Sequence, residues 1–181
     1  MEIEIRAKIP DLPAFLRKLN GLPEVKAEKS GVHEVDTYLK HGQDKERILV
    51  LRIRRRPTGA ILTFKTKSQG KDVAWHDIDL PLHDPDMLED ILLNSGYVYV
   101  VLIDKVRDAF RRGAIEINVD QIRELGNFVE VAFETSGSAT PQQIRTKTAE
   151  LKQLLAELGC GQGDIVEKGY VKLMEELKGK A

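Results

Sequence analysis

Met1-Glu2-Ile3-Glu4-Ile5-Arg6-Ala7-Lys8 is the stretch from which the fold is read. Apolar and charged side chains alternate along it without a break. Side chains alternate faces along a β-strand, so Glu2, Glu4, Arg6 and Lys8 share one face and Ile3, Ile5 and Ala7 share the other. Two acids followed by two bases on one face suit a divalent cation beside an anion, because carboxylates bind Mg²⁺ or Mn²⁺ and Arg or Lys binds phosphate. Taken alone, the strand is better explained as half-buried with a solvated charged face.

The rest of the chain shifts that balance, because the pattern recurs. Arg52, Arg54 and Arg56 share a face in LRIRRR, and Lys65 and Lys67 do so with Thr63 in ILTFKTK. Asp77 and Asp79 oppose Ile78 and Leu80 in HDIDL, and Lys105 and Arg107 flank Val106 in DKVRD. Glu116, Asn118 and Asp120 alternate with isoleucine and valine in IEINVD, as Glu130 and Glu134 do with apolar residues in FVEVAFE. Repeated strands of this kind, some acidic and some basic, predict a sheet whose apolar face packs on helices and whose charged face encloses a ligand. A barrel can hold ionisable groups inside when a charged ligand or water fills it.

Composition narrows the function. With 181 residues, the chain is expected to form one domain, spanning residues 1–178. The net charge of −1 supplies no broad basic field, so nucleic acid is not the expected partner. Cys160 is the only cysteine, which excludes an intramolecular disulfide and a cysteine-rich metal site. His33, His41, His76 and His83 have no mutual metal spacing. No long apolar run or signal-like segment is present, so the expectation is a cytoplasmic protein that does not engage a membrane.

Helices are few and well marked. The first is predicted over about Asp11–Leu19, with a stop at Gly21, and the second after His83-Asp84-Pro85, with a stop at Gly96. Thr140-Pro141-Gln142-Gln143 is a capping box with proline at the first helical position, and it opens a leucine-striped helix that Gly159 ends. A short fourth helix is expected from Tyr170 to Lys178. Glu2 to Gly21 and Asp77 to Gly96 both span an interval of 19 residues from acidic strand through helix to glycine. That spacing suggests two similar half-sheets, each with a helix outside, joined into a pseudo-symmetric barrel.

The ordered set of motifs resembles the CYTH-type triphosphate tunnel enzymes, which include class IV adenylyl cyclases and thiamine triphosphatases. The similarity runs from Glu2 to about Leu173. Glu2-Ile3-Glu4-Ile5-Arg6 is similar to the family's Glu-x-Glu-x-Lys motif. Asp36-Thr37-Tyr38, Leu51-Arg52-Ile53-Arg54, Leu62-Thr63-Phe64-Lys65 and Lys105-Val106-Arg107 resemble its successive strand elements. Asp120, Leu125-Gly126-Asn127-Phe128-Val129-Glu130, Lys168 and Tyr170 complete the likeness.

The resemblance implies an α+β fold: an eight-stranded antiparallel β-tunnel, closed as a barrel, with helices packed outside. It implies Mg²⁺ or Mn²⁺ held by Glu2, Glu4, Asp120 and Glu130. It implies a triphosphate held by Arg6, Arg52, Arg54, Lys65, Arg107 and Lys168, with Lys8 and Lys105 on suitable faces. Glu2, Glu4, Arg6, Lys65 and Arg107 would carry the catalysis. Two departures stand out: Arg6 replaces a lysine, and Ala132 stands where many relatives carry a second acid, with Glu116 and Glu134 on the right face to replace it.

The reaction expected first is conversion of ATP to cyclic AMP and pyrophosphate. Hydrolysis of inorganic triphosphate or thiamine triphosphate fits the same cradle, and a binding module without turnover is a further alternative. A homodimer through strand edges or helices is left open.

Overall fold

The structure, a computed structural model, describes residues 2–46, 49–67, 75–134 and 140–179. The chain alternates strands and helices in the order β1 Glu2–Lys8, α1 Leu12–Gly21, β2 Val25–His41, β3 Leu49–Arg56, β4 Gly59–Lys67, β5 Trp75–Leu82, α2 Pro85–Asn94, β6 Tyr97–Arg112, β7 Ile115–Ile122, β8 Gly126–Glu134, α3 Pro141–Leu158, β9 Ile165–Val166 and α4 Tyr170–Leu177.

Each predicted helix forms where its sequence signals place it. Asp11 and Asp84 each accept a backbone N–H from the third residue of their helix, with proline in the first turn. Thr140 and Gln143 close the reciprocal capping box of α3, and Gly159 ends that helix at φ 97°. Such caps satisfy N–H groups that have no partner within the helix.

Two compact units can be distinguished. The first comprises residues 1–32 and 106–169, the second residues 33–105 and 170–181. In the first, β1 pairs antiparallel with β8 on one edge and β9 on the other, and β8 pairs with β7. Ile3, Ile5 and Ala7 on β1, with Ile117 and Val119 on β7 and Val129 and Val131 on β8, face a core completed by Leu151, Leu154, Leu155 and Leu158 of α3. Cys160 is buried in that core. In the second unit, β2, β3, β4 and β5 pair in turn. Their apolar face, with Leu39, Leu51, Ile53 and Leu62, packs against Leu88, Leu92 and Leu93 of α2.

The expected repeat extends well beyond its first helix. β1, α1, β2, β3 and β4 have 7, 10, 17, 8 and 9 residues; β5, α2, β6, β7 and β8 have 8, 10, 16, 8 and 9. The α+β class and the large antiparallel sheet with helices are as expected. Among the described residues the strand order is β5-β4-β3-β2-β6-β7-β8-β1-β9, nine strands where eight were expected, and this order does not itself join β5 to β9 as a closed barrel would require. The extra strand, β9, is only two residues long and has no period by which sequence could reveal it.

Candidate functional site

Strand register in the first unit builds three cross-strand rows on the charged face. Glu4 of β1 lies opposite Ala132 of β8, which lies opposite Glu116 of β7. Arg6 lies opposite Glu130, which lies opposite Asn118. Lys8 lies opposite Phe128, which lies opposite Asp120. Part of this face is buried: Asp120 is 0% exposed and Glu130 9%, while Glu4 and Lys8 are exposed. An ionised side chain at such depth is retained only when it is paired.

The pairing is a continuous ladder of alternating charge. Arg6 Nη2 donates to Glu4 Oε1 at 2.7 Å, and Arg6 Nε donates to Glu130 Oε1 at 2.8 Å. A second bond to the same Glu130 oxygen comes from Arg6 Nη2. On the other side of Glu130, Arg107 Nη2 donates to Oε2 at 2.7 Å. Arg107 then grips Asp120 with its fork, through Nε at 2.6 Å and through Nη2. The order is Glu4–Arg6–Glu130–Arg107–Asp120. Lys168 joins through its backbone, whose carbonyl accepts from Arg6 Nη1 at 3.1 Å. Its side chain is exposed, as is that of Lys8 at the end of β1.

The second unit carries its own buried charges. Arg54 donates to both oxygens of Asp36, Nε to Oδ1 at 2.6 Å and Nη2 to Oδ2 at 2.5 Å. Glu34 gathers three cations: Arg56 Nε at 2.6 Å, Lys105 Nζ at 3.3 Å and Arg54 Nη1 at 3.5 Å. Lys105 also lies over the Tyr170 ring, 5.7 Å from its centroid. Arg52 Nη2 donates to Thr63 Oγ1 at 2.8 Å, and that hydroxyl donates to Asp79 at 2.6 Å. Arg52 Nε is buried with no hydrogen-bond partner among the described residues.

These surroundings set the protonation states. Burial pushes the Asp36 carboxyl up, but Arg54, Lys105 and Arg52 outweigh it and hold it below its usual value. Burial lowers the Arg54 guanidinium, and Asp36 and Glu34 more than reverse that, so it is held above its usual value. Tyr38 is pushed up to about 12 by burial first and the Asp36 charge second. It therefore keeps its proton at neutral pH and is no general base.

The structure thus brings Glu4, Arg6, Arg107, Asp120 and Glu130 into one cluster, and Arg54 and Lys105 into another. Arg52 stands on β3 beside Thr63. Glu2 and Lys65 occupy their expected strands, opposite Glu134 and Asp77, while their side chains lie outside the described residues. Of the two residues offered in place of an acid at position 132, Glu116 is engaged by Asn118 Nδ2 at 2.6 Å. The side chain of the other, Glu134, lies outside the described residues.

Glu34 and Asp36 were not expected as site residues. Their alternation on β2 with Val35 between them was the available signal. The oxygen-only donor set of Glu4, Asp120 and Glu130 suits a hard divalent cation. As they stand, those carboxylates face arginines, and no three metal-ligating side chains converge among the described residues.

The CYTH domain family model matches residues 1–170. A Methanocaldococcus jannaschii protein named as a putative adenylate cyclase is 25% identical over 177 residues, covering 96% of this chain and 98% of its own. Adenylate cyclase CyaB of Aeromonas hydrophila is 27% identical over 180 residues, covering 97% and 89%. A solved Hippeastrum structure matches in fold, with a TM-score of 0.66 and 18% identity, over 100% of this chain and 97% of that one. That protein is described as an adenylyl cyclase candidate with a dominant triphosphatase activity.

Proposed function

Because this chain belongs to the CYTH domain family, we propose that it is a divalent-metal-dependent enzyme acting on a triphosphate, and that its reaction is conversion of ATP to cyclic AMP and pyrophosphate. The observation that carries the reading is the ladder from exposed Glu4 to buried Asp120, which sets guanidinium groups suited to phosphate beside carboxylates suited to a divalent cation. Both curated relatives that cover nearly the whole chain are named for cyclase activity.

In this reading Arg6 and Arg107 are the bidentate phosphate ligands of the first unit, with Lys8 and Lys168 as point charges. Arg52, Arg54, Lys65 and Lys105 are the basic side chains assigned to phosphate in the second unit. Glu2, Glu4, Asp120 and Glu130 hold Mg²⁺ or Mn²⁺. A bound ion supplies charge neutralisation at the phosphoryl oxygens and orients them. Phosphoryl transfer needs little more from the protein than positioning and neutralisation.

Hydrolysis of inorganic or thiamine triphosphate is the second reading. The dominant triphosphatase activity of the Hippeastrum protein favours it. The deciding experiment incubates the protein with ATP, and separately with inorganic triphosphate, in Mg²⁺ and then Mn²⁺, and identifies the products. Cyclic AMP and pyrophosphate, lost in Glu4→Gln, is the expected result. Orthophosphate without cyclic AMP makes the protein a hydrolase. If neither forms while ATP raises the melting temperature, the protein is a triphosphate-binding module and the enzymatic reading falls.

A further inference from the structure

We propose that Thr63 is a positioning residue: its hydroxyl holds the Arg52 guanidinium in place for the triphosphate without neutralising it, so that Arg52 is a ready anchor for the anion. The inference rests on the triphosphate reading above and adds how this one charge is kept available. Strand register sets Tyr38 of β2, Arg52 of β3, Thr63 of β4 and Asp79 of β5 in a single cross-strand row. Along it, Arg52 Nη2 donates to Thr63 Oγ1 at 2.8 Å, and Thr63 Oγ1 donates to Asp79 Oδ1 at 2.6 Å. A hydroxyl has one proton to give. Asp79 takes it, so towards Arg52 the oxygen can only accept. Thr63 is 0% exposed, and water does not compete for that oxygen.

The acceptor is neutral, and that sets Arg52 apart. Arg6, Arg54 and Arg107 are each bonded to a carboxylate, with which an anion must compete. Among the described residues no carboxylate hydrogen-bonds Arg52. Asp36 senses its charge, but Arg54 grips both Asp36 oxygens. Tyr38, the neighbour of Arg52 on the other side of the row, is pushed up to about 12 and stays neutral. Arg52 Nε is buried and has no hydrogen-bond partner among the described residues. A buried donor left unbonded is costly. An oxyanion brings the acceptors and the counter-charge that the row withholds.

The other repeat shows the alternative. Thr63 and Glu130 are the fifth residues of β4 and β8, and Arg52 and Asn118 the fourth of β3 and β7. Asp79 and Arg6 are the fifth of β5 and β1. The row Asp79–Thr63–Arg52 therefore corresponds to Arg6–Glu130–Asn118. Where β8 centres its row on a carboxylate, bonded to Arg6 and Arg107, β4 centres its own on a hydroxyl. The hydroxyl gives Arg52 a direction and leaves its charge to the ligand.

A double-mutant cycle tests this by binding. Inorganic triphosphate is titrated calorimetrically in EDTA, where metal-dependent turnover cannot consume it. The proteins are the unaltered chain, Thr63→Val, Thr63→Ser, Arg52→Lys and the combination of Arg52→Lys with Thr63→Val. Valine nearly keeps the shape of threonine and removes the acceptor. Thr63→Val is expected to weaken binding about tenfold, and Thr63→Ser to restore it to within about threefold. Arg52→Lys, which keeps the charge and loses the fork, is expected to weaken binding about tenfold or more. In that background Thr63→Val should add less than about twofold, because it acts through the arginine. A full loss from Thr63→Val in both backgrounds, or no loss in either, overturns the positioning role and leaves the triphosphate reading intact. A second pair of variants guards against a folding defect at the buried position. Asp79→Ala and Asp79→Asn, at the exposed end of the row, both remove a charge, but only alanine frees the hydroxyl. Alanine is expected to bind triphosphate about threefold more weakly than asparagine; equal affinities overturn the relay. An unaltered protein that binds no triphosphate in EDTA overturns the anchor, and if it also forms no product in the experiment above, the triphosphate reading falls with it.

Discussion

Asp36 is 2% exposed yet ionised, because Arg54 grips both of its oxygens. Its folded pKa lies below the usual 3.8, since the pull of Arg54, Lys105 and Arg52 exceeds the push of burial. The unfolded chain therefore takes up the proton more readily. The stability from this group is fully present above pH 3.8 and is lost as the pH falls towards the folded value. In Asp36→Asn, Arg54 stays buried without its fork partner, so stability at pH 7 is expected to fall by about 3–5 kcal/mol. Urea unfolding across a pH series checks this: the gap between variant and unaltered protein should narrow as the pH falls below 3.8. A gap that stays constant would remove the ion pair as its source. Asp36 was legible in the sequence as part of Asp36-Thr37-Tyr38, but its pairing was not. Which arginine faces it depends on the β2–β3 register, Asp36 opposite Arg54, and alternation alone cannot supply a register. The same holds for Glu34, and for the way Glu130 meets two arginines at once.

At the scale of elements, what was local was legible. The helix starts at Asp11, Asp84 and Thr140 and the stop at Gly159 are written in four or five neighbouring residues, and each forms as read. The α3 stripe places Leu151, Leu154, Leu155 and Leu158 in the core for the same reason, since one helical period decides it. What depended on distant chain segments was not legible. β9 is an example: two residues, Ile165 and Val166, pair with Ala7 and Arg6 of β1 across most of the sequence. Because the α3 start rests on its own side chains, its contribution can be measured apart from the site. Thr140→Ala removes the hydroxyl that accepts from the Gln143 N–H at 3.2 Å. It is expected to destabilise the protein by about 1 kcal/mol. Thermal unfolding checks the stability, and triphosphate affinity should not change; a loss of affinity would mean that the cap does more than start a helix.

Across the whole molecule, the two repeats share a plan and invert its charges. Each holds one arginine–aspartate fork between its long strand and the strand that follows. In the first repeat the acid is on the long strand, Asp36 of β2, and the arginine is on β3. In the second the arginine is on the long strand, Arg107 of β6, and the acid is on β7. The interval of 19 residues pointed to the start of this repeat, but charge inversion hid its extent, because equivalent positions carry opposite residues. Two such buried forks are a weak source of stability, since apolar residues of similar size generally replace a buried ion pair at no loss. In the proposed reading their role is instead to bind phosphate. Replacing both partners separates the two roles: Asp36→Leu combined with Arg54→Met leaves Glu34 still paired with Arg56 and Lys105. The double variant is expected to equal the unaltered protein in stability, or exceed it by about 1–4 kcal/mol. Its affinity for Mn²⁺-loaded triphosphate is expected to fall about tenfold or more, for want of one bidentate ligand. Urea unfolding and calorimetry together check it. A double variant that is much less stable, or that binds triphosphate as before, would mean the forks hold the fold rather than the substrate.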